Sequence, residues 1–133
     1  MSLVMQAAQQ ALMAKLTGDA VLMDRVSAVY DTVPQGSTLP YVVVDELTQE
    51  TRPVLGENLW QVSMVLEVWS EPQGRKATLT ALERMHGLLH HGTLAISGYS
   101  LREMRVEGAS CVLAEQATRM VGTMEITLLV AEA

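Results

Sequence analysis

At 133 residues the chain is the size of one domain and long enough to bury a core. Hydrophobic residues make up 49% and charged residues 18%, a balance that excludes a disordered chain. Nine Lys and Arg against fifteen Asp and Glu leave a formal charge of −6, the wrong sign for gripping nucleic acid.

The predicted elements begin with a helix over Ser2–Leu16, with Ser2 as N-cap and a narrow face of Leu3, Ala7, Ala8, Ala11 and Leu12. Thr17-Gly18 closes it, glycine being suited to a left-handed cap, and Asp19 caps a short second helical turn to about Arg25. Val26–Tyr30 reads as a short extended piece. Two prolines around Gly36 then make a loop over Val33–Pro40. Tyr41–Leu47, with three consecutive valines, reads as a strand. Thr48–Asn58 has few core candidates and reads as an exposed hairpin loop, long for its class and so a candidate for function.

The rest of the chain is arranged around Leu59–His91. In Leu59–Ser70 the side chains of Trp60, Val62, Met64, Leu66 and Val68 alternate onto one face. A turn at Glu71–Gly74 leads to a helix over Arg75–His91, whose stripe is Ala81, Leu82, Met85, Leu88 and Leu89. Phe is absent, so aliphatic side chains and nine Met fill the core. After Gly92 and Gly98 the chain reads as strands over Leu101–Glu107, Ser110–Ala114 and Arg119–Ala131. Gly108-Ala109 is either a break or a bulge in one long bent strand. Glu115–Thr118 is read as the last hairpin turn. Met120, Met124, Ile126, Leu128 and Val130 share one side of the final strand, and Thr123, Glu125 and Thr127 take the other. Strand runs separated from a few helices give an α+β fold. We expect a single domain over 1–133, an antiparallel β-sheet with two main α-helices on one face, ordered α-α-β-β-α-β-β.

Candidate chemistry is sparse. His86 and His90 stand four apart on a helix, a spacing that can hold a metal, but a third ligand is missing and a solvated last helical turn is the simpler reading. Cys111 stands alone, which excludes an internal disulfide and a cysteine zinc cluster, and reads as a small buried residue. Serines lack a Gly-x-Ser-x-Gly elbow, and the glycines lack phosphate-loop spacing. Asp45 and Glu46 are neighbours on a strand, so they point to opposite faces and cannot form an acid/base pair without another partner. No catalytic residue, metal or cofactor is therefore expected. Arg102, Glu103, Arg105 and Glu107 alternate in sign, either as a solvated face or as a seam against a partner. Apolar runs fall far short of the ~20 residues of a membrane span, and no basic-then-apolar leader opens the chain. A soluble protein made inside the cell, with no membrane partner, is the expectation.

The ordered series Val29-Tyr30, Pro34-Gln35-Gly36, Leu39-Pro40-Tyr41-Val42-Val43-Val44, Val68-Trp69-Ser70, Gly74 and Leu94…Gly98-Tyr99-x-Leu101 resembles the tail-completion, or tail-terminator, proteins of long-tailed phages, prophages and gene transfer agents. Two positions depart from the family pattern. Ala28 stands where an Arg often precedes Val-Tyr, and Glu115–Thr118 replaces an Asp-Gly turn. The resemblance implies a structural virion protein, made in the bacterial host cytoplasm and placed at the head-proximal end of the tail. It implies a ring, commonly a hexamer, that ends tail-tube growth and contacts the tube protein and the head–tail connector. DNA would only pass through its lumen. On that reading Thr48–Asn58 with Arg52 and Glu57, together with Arg102, Glu103, Arg105 and Arg119, are the candidate interface residues. A head–tail stopper one layer away and a small-ligand-binding α+β module are the alternatives.

Overall fold

The computed structural model describes residues 3–53, 56–114 and 118–132. Its elements are α1 (Met5–Thr17), α2 (Ala20–Met23), β1 (Val29–Tyr30), β2 (Tyr41–Thr51), β3 (Leu59–Ser70), α3 (Arg75–Leu89), β4 (Tyr99–Leu113) and β5 (Met120–Glu132). The five strands form one sheet in the order β1-β2-β3-β5-β4. All pairings are antiparallel except that of β1, which runs parallel to β2 for two residues. The expected α+β class and element order hold, with Val26–Tyr30 supplying the small edge strand.

Alternation on β3 sets the two faces of the sheet. Trp60, Val62, Met64, Leu66 and Val68 are all buried, and each meets an apolar or small partner on β5: Val130, Leu128, Ile126, Met124 and Gly122. On this inner face lie α1, through Ala8, Leu12 and Leu16, and α3, through Ala81, Leu82, Met85 and Leu89. Gly122 is where α3 comes closest to the sheet. A Cβ there would stand 2.5 Å from Thr78 Cγ2 and 2.9 Å from Leu82 Cδ1, so only a residue without a side chain fits. Beside it the Ser70 and Thr78 hydroxyls bond each other in the buried layer, and Thr78 Oγ1 also donates to the Gly74 carbonyl. These bonds pin the start of α3 to the end of β3.

Several boundaries differ from the sequence reading, each for a local reason. Thr48–Thr51 belong to β2, not to a loop, because they pair with Ser63 back to Trp60. Thr48 and Glu50 lie on the open face, and Gln49 on the other accepts the Val4 N–H at 2.7 Å. The hairpin connection is thus 52–58, closed by the Arg52 N–H on the Leu59 carbonyl at 2.7 Å. Gly18 does end α1, but at φ −80° it is not left-handed; the chain passes straight into α2, and a Cβ would lie 3.0 Å from the Ala14 carbonyl oxygen. Asp19 caps α2 as expected, accepting the Leu22 N–H at 2.8 Å. Ser2 and residues 115–117 of the proposed last turn lie outside the described residues; within them, α1 starts behind Val4. The strands read as Leu101–Glu107 and Ser110–Ala114 are one strand, irregular between Val106 and Gly108. His90 and His91 are not helical: α3 ends at Leu89, and His91 takes φ 56°.

Candidate interaction surface

The opposite face of the sheet carries no helix. Its register builds five rows across β2, β3, β5 and β4. Tyr41, Trp69, Val121 and Val112 make an apolar row at one end. Next come Val43, Glu67, Thr123 and Ser110, and then Glu46, Val65, Glu125 and Gly108. Thr48, Ser63, Thr127 and Arg105 follow, and Glu50, Gln61, Leu129 and Glu103 close the series. Thr127 Oγ1 donates to Glu107 Oε1 at 2.7 Å, bringing a further carboxylate onto the same face.

Six glutamates therefore share a surface on which Arg105 is the cation of the five rows. A shallow depression of about 260 Å³ lies at their centre, with Glu46, Val65, Glu107 and Glu125 among its walls. The irregularity between Val44 and Glu46 is what aims Glu46 here. The sequence reading left it without a partner; the fold gives it Glu107 and Glu125. Burial pushes the Glu67 carboxyl above its ordinary range; the Trp69 Nε1–H, 3.2 Å from its oxygen, opposes this and the nearby Asp45 charge adds to it. Among the described residues no group of three or more His, Cys, Asp or Glu is arranged to hold a metal ion. The face is suited to repelling a polyanion or to meeting a basic partner.

The six candidate interface residues fall in three places. At one end of the sheet, Arg102 reaches Glu57 at 2.9 Å, tying the start of β4 to the β2–β3 connection. Arg52 in that connection pairs with Glu50 at 3.1 Å, and its Nε donates to Gln61 Oε1 at 3.0 Å. On the outer face, Arg105 lies between Glu103 at 3.5 Å and Glu107 at 3.1 Å. Arg119 is at the other end, donating to the Tyr41 hydroxyl at 3.1 Å. The ion pairs of Arg52, Arg102 and Arg105 are half exposed, so each contributes little to stability and is free to be exchanged for a partner's charge. Sequence reasoning missed Glu46, Glu67 and Glu125 as members of one surface. Glu67 and Glu125 carry a signal, since each stands at an outward position of its strand, whereas Glu46 joins them only through the irregularity after Val44.

Both borders of the sheet are covered only in part. β1 covers β2 only at Val42 and Val43, and β4 is the outermost strand on the other side. A hollow of about 710 Å³ opens between the 92–97 segment and the start of β4, with Leu94, Ile96, Tyr99 and Leu101 on its walls. Of the three imidazoles, His86 lines a separate apolar groove beside Leu79, Leu82 and Cys111. No helix among the described residues is long and apolar enough to cross a membrane.

Comparison with known proteins agrees with this surface-dominated layout. Among the solved structures that match is a chain from a structure titled "Virion of native gene transfer agent (GTA) particle". It is 23% identical with a TM-score of 0.83, covering 92% of this chain and 93% of that one, so the two share a fold. A search of curated proteins finds no match. The family described as tail completion protein gp17 matches residues 10–130. The chain belongs to that family and is a structural protein of a phage-type tail.

Proposed function

We propose that the protein caps the finished end of a tail tube as a ring, a hexamer in the assembled tail, and there stops growth and presents the surface that joins the head. The observation that carries this reading is the division of one sheet into a face sealed by helices and a face left open between two borders that are covered only in part. A subunit built this way can repeat head-to-tail, each copy offering one border to the next until rotation closes the ring. Arg52, Glu57 and Arg102 at one end, and Arg119 at the other, supply exchangeable charges for contacts with the tube protein and the head connector. The acidic open face, turned toward the lumen, lets DNA pass without adhering. The role is structural, and the chain performs no chemical step.

The test is tail length. Particles assembled without this protein are expected to carry tubes longer than normal and without heads, and adding the purified chain to growing tubes should fix their length. Tubes of normal length joined to heads in its absence would overturn the proposal.

A further inference from the structure

The outer border of β4 is closed at its middle by the two residues that leave α3. His90 follows Leu89 in extended backbone. Its Nδ1 accepts the Val106 N–H at 3.1 Å, while the His91 N–H donates to the Met104 carbonyl at 2.8 Å. Met104 and Val106 are two apart on one strand, so both bonds fall on the same side of it, the side away from β5. A ring nitrogen that accepts carries no hydrogen; the His90 proton therefore sits on Nε2. The ring is stacked on His86 with centroids 4.8 Å apart, and the His91 ring is 4.1 Å away.

We propose that His90 is a proton-operated latch on the β4 border: the neutral ring holds the Val106 N–H and keeps the border closed, and the protonated ring releases it for pairing with another strand. The chemistry is an exchange of roles at one atom. When Nδ1 takes a proton it becomes a donor facing a donor, so the bond to Val106 is lost and not merely weakened. His91 still occupies the Met104 carbonyl, and the freed group is the Val106 N–H. An uncovered strand border is a template for another strand, which is what makes this atom consequential.

The charged and titratable groups around the ring are His86 from α3, His91 from the segment after it, and Arg105 and Glu107 from β4. Burial, then His91, His86 and Arg105, lower the His90 pKa from its ordinary value, and Glu107 opposes them. Neutral His90 is thus the form at neutral pH. Its contribution is complete above the ordinary histidine range and is lost as pH falls through the lowered value. Three histidines together are not a metal site here: the Nδ1 of the middle one is already engaged.

Hydrogen exchange of the Val106 amide, read by NMR as protection over its intrinsic rate, tests the latch. As pH falls from about 7.5 through the titration of the His90 ring, its protection should fall by about tenfold or more, the order expected for one lost bond. The fall should coincide with the titration of the His90 ring followed in the same samples. The Val42 N–H, bonded to the Ala28 carbonyl at 3.0 Å, is the internal standard and should hold steady. His90→Ala should leave Val106 weakly protected across that range while Val42 stays protected. His86→Ala should raise the pH of release. Protection at Val106 that persists through the His90 titration, or that survives in His90→Ala, overturns the proposal.

Discussion

The two faces of this sheet are made from the same strands and do opposite work. On the inner face, β3 alone presents Trp60, Val62, Met64, Leu66 and Val68, all buried beneath α1 and α3. On the outer face the same strand presents Gln61, Ser63, Val65, Glu67 and Trp69, half-buried and flanked by carboxylates from β2, β4 and β5. Burial of apolar area stabilises the first face, and exposure keeps the second available to partners. Stability and assembly are therefore separable by substitution, position by position along one strand.

The largest effect should come from Trp60→Ala, which empties a large site whose ring also meets Tyr99 edge-on at 5.9 Å. A loss of about 3–5 kcal/mol in denaturant unfolding is expected. An unchanged midpoint would mean that the inner face does not hold the fold. Gly122→Ala should come next, at about 1–3 kcal/mol, because the added methyl forces Thr78 and Leu82 of α3 away from the sheet. Thermal unfolding of that variant beside Gly108→Ala sharpens the contrast, since a Cβ at Gly108 meets nothing within 4 Å.

Asp19 gives a pH-dependent test of the helical layer. Its carboxylate bonds Arg84 through two nitrogens, at 2.6 and 2.8 Å, and the Leu22 N–H at 2.8 Å. Arg84 first, and that amide second, hold its pKa at about 2 against an ordinary 3.8. The folded value is depressed, so the stabilisation is complete above the ordinary carboxylate range and disappears as pH falls through about 2. Melting temperatures of Arg84→Gln should consequently fall less steeply than those of the parent over that acid range. The smallest effect is expected on the open face. Glu46→Gln with Glu125→Gln should shift stability by no more than about 0.5 kcal/mol, as exposed substitutions do. A larger loss by denaturant titration would show that those carboxylates support the fold.

Much of the inner face was legible in the sequence because a period of two on β3 and β5 and a three-and-four spacing on α3 are local signals. Leu59–Ser70 is bounded as the alternation dictates. Thr48–Thr51 read as loop in the sequence because polar strand residues on an open border look like a connection until their partners are known. The helical pattern runs on through His91 for the converse reason: nothing local marks the Met104 carbonyl as the acceptor that draws the chain out of the helix. Outer-face glutamates come from different strands, and their convergence depends on register, which three irregularities, at Val44/Glu46, Leu101/Glu103 and Val106/Gly108, displace from simple counting. The family resemblance supplied the biological setting, which these patterns alone do not contain.

The most direct measurement is tail joining by a double charge reversal, Arg52→Glu with Arg102→Glu, in particles whose melting behaviour is checked alongside. Because both side chains sit outside the sealed layer, the variant is expected to melt like the parent while ring formation and head attachment fail. Rings and joined tails indistinguishable from the parent's would contradict the assignment of this charged end of the sheet as a working surface.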